Sequence, residues 1–568
     1  MERTYNEMIR EVTEEYISDI NLDSLPSPST IEYELLQATN RAIHEWNLGP
    51  RDESVPDSAS MKDKYPDQKP PGERLRKLKV LTNWQIAYLL MHVHNARLIC
   101  WTSISNPENS DIGIYQDKGN VQGTYLTGAN HLERAIRSYN PSAARYDIAE
   151  VTSVLKSLCF RVERCSSPDL VAVNNGIYDY RRKCLLPFDP EYVFTSKSPY
   201  DFIENAPNPI IPNDEDGTDW DVVSWLDSLS DDPEIVEVLW QILGAVIRPN
   251  VRWDKSAWLY STKGNNGKGT FCALARNLCG EAACESISLK AFGQRFMLEP
   301  LTRVSAIITD ENDTGTYLDD AAALKSIITG DSVFIDRKFK DGITLKFKGF
   351  MVQCVNELPK FRDKTESMYR RLLVIPFDKC FKGRERKCIK SDYLHRREVL
   401  EYVLYHVLAE TNYYELDEPM ACKAMLSEFM EYNDATRQFL ADVLPEATWD
   451  LLPWQLLHDL YRQWTKRANP SGRAQSKTAF VREVKALMPT IDGWEATVTT
   501  ARSATKMQGA EPLIVEYGVV EWMDRSYRGP DQGRVATPSD LKERYAGLVR
   551  TTPKLPPVGA GPACGDED

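Results

Sequence analysis

The residues with the most chemical content lie in the run SAWLYSTKGNNGKGTFCALARNLCG, from Ser256 to Gly280. A strand over Ala257–Tyr260 leads into Gly264, Asn265, Asn266, Gly267, Lys268, Gly269 and Thr270, and a helix opens at about Lys268. A phosphate-binding loop needs this context. Backbone N–H groups converge on the anion, glycines let it approach, and the helix N-terminus adds its positive end. Lys268 is placed to contact the outer phosphates. The strict pattern G-x-x-x-x-G-K-[ST] is not met: Thr262 stands where the first glycine belongs and Gly269 where the hydroxyl belongs. Thr270 must then supply the hydroxyl for magnesium. Taken alone, the piece competes with a chance GKGT in a surface loop.

Three more pieces follow in order. VSAIITDEN is an apolar strand ending in Asp310-Glu311. Beside a lysine loop, the first carboxylate can hold magnesium through water and the second can polarise the attacking water. FKGFMVQCVNELPKF delivers Asn356 at a strand end, where its amide can position the lytic water, although an asparagine ending a strand in a turn is common. SMYRRLLVIPF puts Arg370 and Arg371 ahead of another buried strand. Such a pair is more often a salt-bridged edge than a catalytic finger; here the order of pieces favours the finger. Between the second and third pieces, DSVFIDRKFKDGITLKFKGF reads as a hairpin turning at Asp341-Gly342. Ile343, Leu345 and Phe347 alternate with Thr344, Lys346 and Lys348, while Arg337, Lys338 and Lys340 crowd the tip. A cationic tip can touch a phosphate backbone, or protect an exposed edge from aggregation.

These side chains need a sheet whose strand ends meet at one edge, and alternating strands and helices from Ser256 to about Cys380 provide it. Upstream, TNWQIAYLLMHVHN reads as a helix capped by Thr82 or Asn83, and two strand-like pieces and helices over 131–158 follow. LVAVNNGIYDY reads as strands about an Asn-Asn-Gly turn, and an apolar helix runs from Pro233 to Ile247. The first 78 residues look peripheral: one helix around Ile31–Trp46, then a polar Pro/Ser tract. Helices dominate from Arg396 to Phe439, and the helix-helix-strand order over 451–523 suits a winged helix. The last 43 residues hold 12 Gly or Pro, so a disordered tail is expected there.

Together GNNGKGT, IITDEN, LKSIITGDSVFIDRKFKDG, FMVQCVNELPKF and YRRLLVIPF resemble the superfamily 3 helicase core, an AAA+ variant of viral, satellite-phage and plasmid replication proteins. The likeness is to the phage/plasmid and poxvirus-type primase-helicase family. VAVNNGIYDY, QILGAVI, LYRQWTKRANP and KTAFVREV extend it to roughly 79–523. The resemblance implies an α/β multidomain chain: an AAA+ P-loop ATPase core at 251–395, an α+β helicase-associated module at 79–250 and a winged-helix-like DNA-binding domain at 446–525. Residues 1–78 would be an extension and linker, 396–445 a helical segment and 526–568 the tail. It further implies ATP and Mg2+ as cofactors, with Lys268 on the phosphates and Thr270 and Asp310 on the metal. Glu311 would join Asp310 as the acidic pair and Asn356 would sense the γ-phosphate. Arg370 or Arg371 would reach a neighbouring subunit's site, and Arg337, Lys338 and Lys340 would sit on a pore hairpin gripping single-stranded DNA. Such proteins are ring-shaped, usually hexameric, ATP-driven 3′-to-5′ translocases, which implies a homo-oligomer acting on single-stranded and forked DNA during replication of a phage, plasmid or integrated element. A separate primase or host replication proteins are further candidate partners. No primer synthesis is expected: too little chain precedes the module for a primase domain, and Asp219-Trp220-Asp221 reads better as a helix cap.

Two other functions remain open. A nucleotide kinase also uses GKGT, though without the Asp-Glu, Asn and Arg-Arg series. An origin-binding initiator or oligomeric DNA-binding scaffold whose ATPase only switches its state, without processive unwinding, is kept open by the winged-helix region and by Arg467, Arg473 and Lys477. Composition bounds all of these. The start MERTYNEMIREVTEE is no signal peptide, no membrane span is evident, and the twelve cysteines show no CxxC pair, so a reduced cytoplasmic protein is expected. The net charge of -14 argues against coating nucleic acid by bulk attraction. Residues 251–390, however, carry 25 Lys+Arg against 17 Asp+Glu, or +8, which leaves 44 against 66 elsewhere.

Overall fold

The computed structural model describes residues 4–48, 74–102, 110–213, 217–313, 317–318, 321–338, 341–361, 366–468, 474–524 and 526–551. They form two compact units, divided after Met425.

The first unit begins with a helical pair that is not peripheral. Thr4 and Glu7 form a capping box that starts the helix Tyr5–Asp19, and Pro28–Leu48 follows. Gln85 is fully buried and donates to Thr13 Oγ1 at 3.2 Å and Thr39 Oγ1 at 3.0 Å, pinning both helices to Asn83–His92. Ile31 and Leu35 share one apolar core with Leu89, Leu90 and Val151. Asn40 and Asn47 each pair twice with backbone, at Leu78 and Leu75, which returns the chain to the same module. The intervening polar tract lies outside the described residues. This module carries a four-stranded sheet whose central strand, Arg97–Cys100, pairs with Ser110–Tyr115 and with Arg161–Glu163. Leu170–Val173 and Gly176–Asp179 form the expected hairpin. Asp221 caps the helix Val222–Asp227 by accepting from the N–H groups of Val223 and Ser224, both at 3.0 Å.

The helix Pro233–Ile247 starts at Asp232, exposes Glu234 and Glu237 in its first turns and is buried all round from Val238, where its residues are almost all apolar. It packs against a five-stranded parallel sheet: β1 Ser256–Tyr260, β2 Cys284–Glu285, β3 Ala306–Thr309, β4 Phe350–Val355 and β5 Leu372–Pro376. The spatial order is β5-β1-β4-β3-β2. AWL, AIIT, FMVQCV and LLVI are nearly continuous buried runs, because helices cover both faces of a parallel sheet. The expected separate helical segment at 396–445 is not one piece. Arg397–Tyr405 puts Val399, Leu400, Val403 and Leu404 into the sheet's core, whereas Ala435–Val443 belongs to the second unit.

In that second unit, Ala435–Val443, Trp454–Ala468 and Lys477–Leu487 surround a buried cluster that includes Phe439, Leu457 and Phe480. Its antiparallel sheet has Gly547–Arg550 in the middle, paired with Leu451–Pro453 and Trp494–Ala496. The expected tail therefore does not begin at 526: the central strand of this sheet lies beyond that point. The glycine and proline content there reflects turns between short ordered pieces, and a four-residue strand leaves little apolar pattern to read. Residues 552–568 lie outside the described residues. Among the described residues no helix is long and apolar enough to cross a membrane.

Candidate nucleotide site and cationic hairpin

β1 ends at Tyr260, and the loop that follows turns through two left-handed residues, Asn265 at φ 55° and Gly267 at φ 90°. Gly267 caps the helix Lys268–Cys279, and a Cβ there would stand 2.7 Å from Leu229 Cδ2. The left-handed backbone favours glycine at that position, and the Leu229 side chain would have to move to admit a Cβ. Asn266 is buried and bridges the loop, donating to Lys263 O and accepting from Lys268 N–H at 3.3 Å. Gly264 and Asn265 form the exposed outer turn. Asn265 O accepts from Phe381 N–H at 2.7 Å, and its amide donates to Glu385 Oε1 at 2.8 Å. Gly269 and Thr270 occupy the first helical turn, and Thr270 lines a cavity of about 580 Å3 with Asn265 and Gly267.

Lys268 is 5% exposed. Its Nζ donates to Ser261 O at 3.2 Å and to Asn356 Oδ1 at 3.0 Å. Burial pulls its pKa down, partly offset by Cys354 and Cys272. The sequence separates Lys268 and Asn356 by 88 residues; the sheet makes them neighbours, since β1 and β4 are adjacent and parallel. The strand after β4 is β3, which brings Asp310 and Glu311 to the same edge. Strand ends of a parallel sheet where the strand order reverses are where such folds hold ligands.

The acidic pair divides. Glu311 is exposed. Asp310 faces Arg276, two helical turns beyond Lys268, with Oδ1 3.3 Å from Nη2. That Oδ1 is buried and receives no hydrogen bond. Arg276 also donates to Ile308 O, so it clamps the acid strand to the loop helix. Asn312 completes the brace: it accepts from Leu289 N–H at 2.8 Å and donates to Gln353 Oε1 and Cys354 O, both at 2.9 Å. Arg276 and Asn312 are absent from the sequence-based set. Arg276 was findable, because it stands on the same helix face as Lys268 and Cys272 at steps of four; nothing in the sequence marked Asn312.

The two arginines also divide. Arg371 folds back on its own turn, donating through Nη1 to Ser367 Oγ at 2.9 Å and to Ser367 O. Arg370 is exposed. β5 runs beside β1 with Leu372 opposite Ser256 and Pro376 opposite Tyr260, so both arginines stand at the edge where β1 begins, and the loop leaves where it ends. At about 3.3 Å per residue, β1 alone puts roughly 13 Å between these edges. That exceeds the reach of an arginine side chain.

The hairpin forms, with Ser332–Ile335 pairing against Ile343–Lys346 and the expected alternation of buried and open residues. Its turn is wider than the Asp-Gly signal suggested: Ile335 faces Ile343, so Asp341 and Gly342 end a longer loop. Arg337 is not on an open tip. It donates to Asp341 O at 2.9 Å and pairs with Asp111 at 3.5 Å, its side chain 11% exposed. Lys348 is bound to the upstream module through Arg164 O at 3.3 Å and Cys165 O at 3.1 Å. Burial, then the Arg164 charge, lower its pKa to about 8. Lys338 is exposed; Lys340 lies outside the described residues. In the second unit, Arg467 donates to Glu516 O and lies over the Tyr517 ring, and Lys477 donates to Gln455 at 2.6 Å. Arg473 lies outside the described residues.

Two family models match the chain. One is a family of unknown function (DUF5906), over residues 259–371, from within β1 to Arg371. The other, D5 N terminal like, covers residues 126–241 in the upstream module. Among solved structures, the apo NrS-1 C terminal region (305-718) is similar at 13% identity and TM-score 0.40, covering 71% of this chain and 86% of that one. An A form of the same region has 15% identity and TM-score 0.39, covering 73% and 88%. JCV Helicase, solved with a bound acetamide compound, has 17% identity and TM-score 0.23, covering 39% of this chain and 63% of that one.

Proposed function

We propose that this chain is an ATP-dependent, ring-forming DNA helicase or translocase of the superfamily 3 type, serving replication of a phage, plasmid or integrated mobile element. The observation that carries the reading is Lys268 on Asn356. A buried ammonium faces two neutral oxygens at the mouth of a helix N-terminus, an arrangement suited to a phosphate anion. Asn356, already in contact with the lysine, is suited to report the γ-phosphate. Thr270 on the cavity wall and Asp310, whose carboxylate is ion-paired with Arg276, are the residues that would hold Mg2+, whose chemistry is to offset phosphate charge. Exposed Glu311 would polarise the attacking water. Arg370, too far from its own chain's loop, would act on a neighbour's site within a ring. The D5 N terminal like match upstream and the ordered motifs support the same family.

The test is ATP hydrolysis with and without single-stranded DNA in wild type, Lys268→Ala and Glu311→Gln, with unwinding of a tailed duplex in parallel. DNA-stimulated hydrolysis lost in both variants, together with unwinding, is the expected result. Hydrolysis indifferent to DNA without unwinding would replace this reading with an ATP-switched initiator or oligomeric DNA-binding scaffold, which a second unit of helices beside a small antiparallel sheet also suits.

A further inference from the structure

The loop departs from the strict motif at Gly269, and a cation stands beside that residue. A Cβ built on Gly269 would meet one side-chain atom within 4 Å, Lys390 Nζ, at 3.6 Å. That is ordinary contact distance, so a serine there fits, and its hydroxyl can accept a hydrogen bond from that ammonium. Lys390 comes from the segment after β5, which the Phe381–Asn265 and Asn265–Glu385 hydrogen bonds hold against the loop. Ile389, beside it, is buried in the sheet's core, so the segment is anchored. Lys390 is exposed and, among the described residues, has no carboxylate partner. It lines the 580 Å3 cavity with Thr270, Trp225 and Phe381.

We propose that Lys390 is a second phosphate-binding cation, its ammonium standing beside Gly269 at the helix N-terminus. The inference rests on the nucleotide reading above and deepens it: the ligand is a nucleoside 5′-triphosphate whose charge is shared between Lys268, Lys390 and the metal. Two ammonium groups offset part of the charge otherwise left to Mg2+. Metal-free binding therefore depends on Lys390 more than metal-loaded binding does.

The experiment is a fluorescence titration of the full chain with a methylanthraniloyl-ATP probe, in Mg2+ and in EDTA. Lys390→Ala should weaken binding about tenfold in EDTA, the effect of one charge-assisted contact, and less in Mg2+. Lys390→Arg should recover most of the loss. Gly269→Ser should weaken metal-free binding in wild type and have little effect in Lys390→Ala, because the hydroxyl acts by engaging the ammonium. Equal effects of Gly269→Ser in both backgrounds would overturn the proposal, as would wild-type affinity in Lys390→Ala. If wild type binds and Lys268→Ala does not, either result leaves the nucleotide reading standing. No binding by wild type would remove both.

Discussion

Replacing Arg370 and Arg371 one at a time separates a trans-acting finger from a structural arginine, and the structure sets different magnitudes for each. Arg371 donates through one nitrogen to two oxygens of Ser367. Charged hydrogen bonds of this kind contribute about 1.5–3 kcal/mol, so Arg371→Ala should lower the melting temperature by a few degrees. Arg370 is exposed, and its truncation should leave stability within about 0.5 kcal/mol. If it reaches a neighbour's γ-phosphate, its loss should slow hydrolysis on the order of a thousand-fold. Complementation then follows from the parallel register of β5 and β1, which keeps Arg370 away from its own loop. An Arg370→Ala subunit keeps a sound phosphate loop and lacks the finger; a Lys268→Ala subunit keeps the finger and lacks the loop. In a randomly mixed one-to-one ring with head-to-tail interfaces, about one quarter of the sites combine a sound loop with a sound finger. Hydrolysis should return to about a quarter of wild type on subunit exchange, although each variant alone is inactive. Steady-state phosphate release and a melting curve on the same samples suffice. Wild-type hydrolysis by Arg370→Ala would refute the reasoning. So would a stable, inactive Arg371→Ala that is complemented in its place.

Three further outcomes test the surrounding scaffold. Gly267→Ala puts a Cβ 2.7 Å from Leu229 in a left-handed residue, so it should cost at least about 1–2 kcal/mol in denaturant melts and weaken nucleotide binding by equilibrium titration. Asn312→Ala removes three hydrogen bonds bracing the acid strand. It should destabilise the first unit by roughly 2–3 kcal/mol and reduce hydrolysis while nucleotide affinity stays near wild type. Lys348 has a folded pKa of about 8, below its ordinary value of 10.5. Between these values the unfolded chain binds the proton and the folded one has released it, so stability rises with pH through that window. The melting temperature of wild type relative to Lys348→Met should therefore climb from pH 8 to 10; a flat or falling difference would contradict the burial of its ammonium.

The parts of the site that were legible in the sequence are those fixed by one strand end. Lys268, Asp310 and Asn356 each follow a run of buried aliphatic residues, and a parallel sheet converts runs in chain order into neighbours at one edge. The contacts that orient them were not legible, because they depend on register between elements. Arg276 meets Asp310 only because the loop helix packs beside β3, and Asn312 meets Gln353 only because β3 and β4 pair as they do. The first helical pair was underrated for a related reason. Thr13, Thr39 and Gln85 are polar, and the sequence gives no sign that they satisfy one another inside a core. Pattern reading also misplaced the end of the second unit, where Gly547–Arg550 holds its sheet by main-chain pairing more than by apolar periodicity.

The surplus of eight positive charges over 251–390 reads as a basic channel for DNA when counted along the chain. The structure divides that surplus by purpose. Arg276 and Arg337 neutralise Asp310 and Asp111, and Lys348 fastens the hairpin's base to the upstream module; none of the three is placed to meet a backbone phosphate. Arg384, Lys387 and Lys390 line the cavity beside the phosphate loop. Of the hairpin tip's described cations, Lys338 is the exposed one. Among the described residues, Lys338 and Lys346 of the return strand are the hairpin's exposed cations, and counterion release scales with the phosphates neutralised.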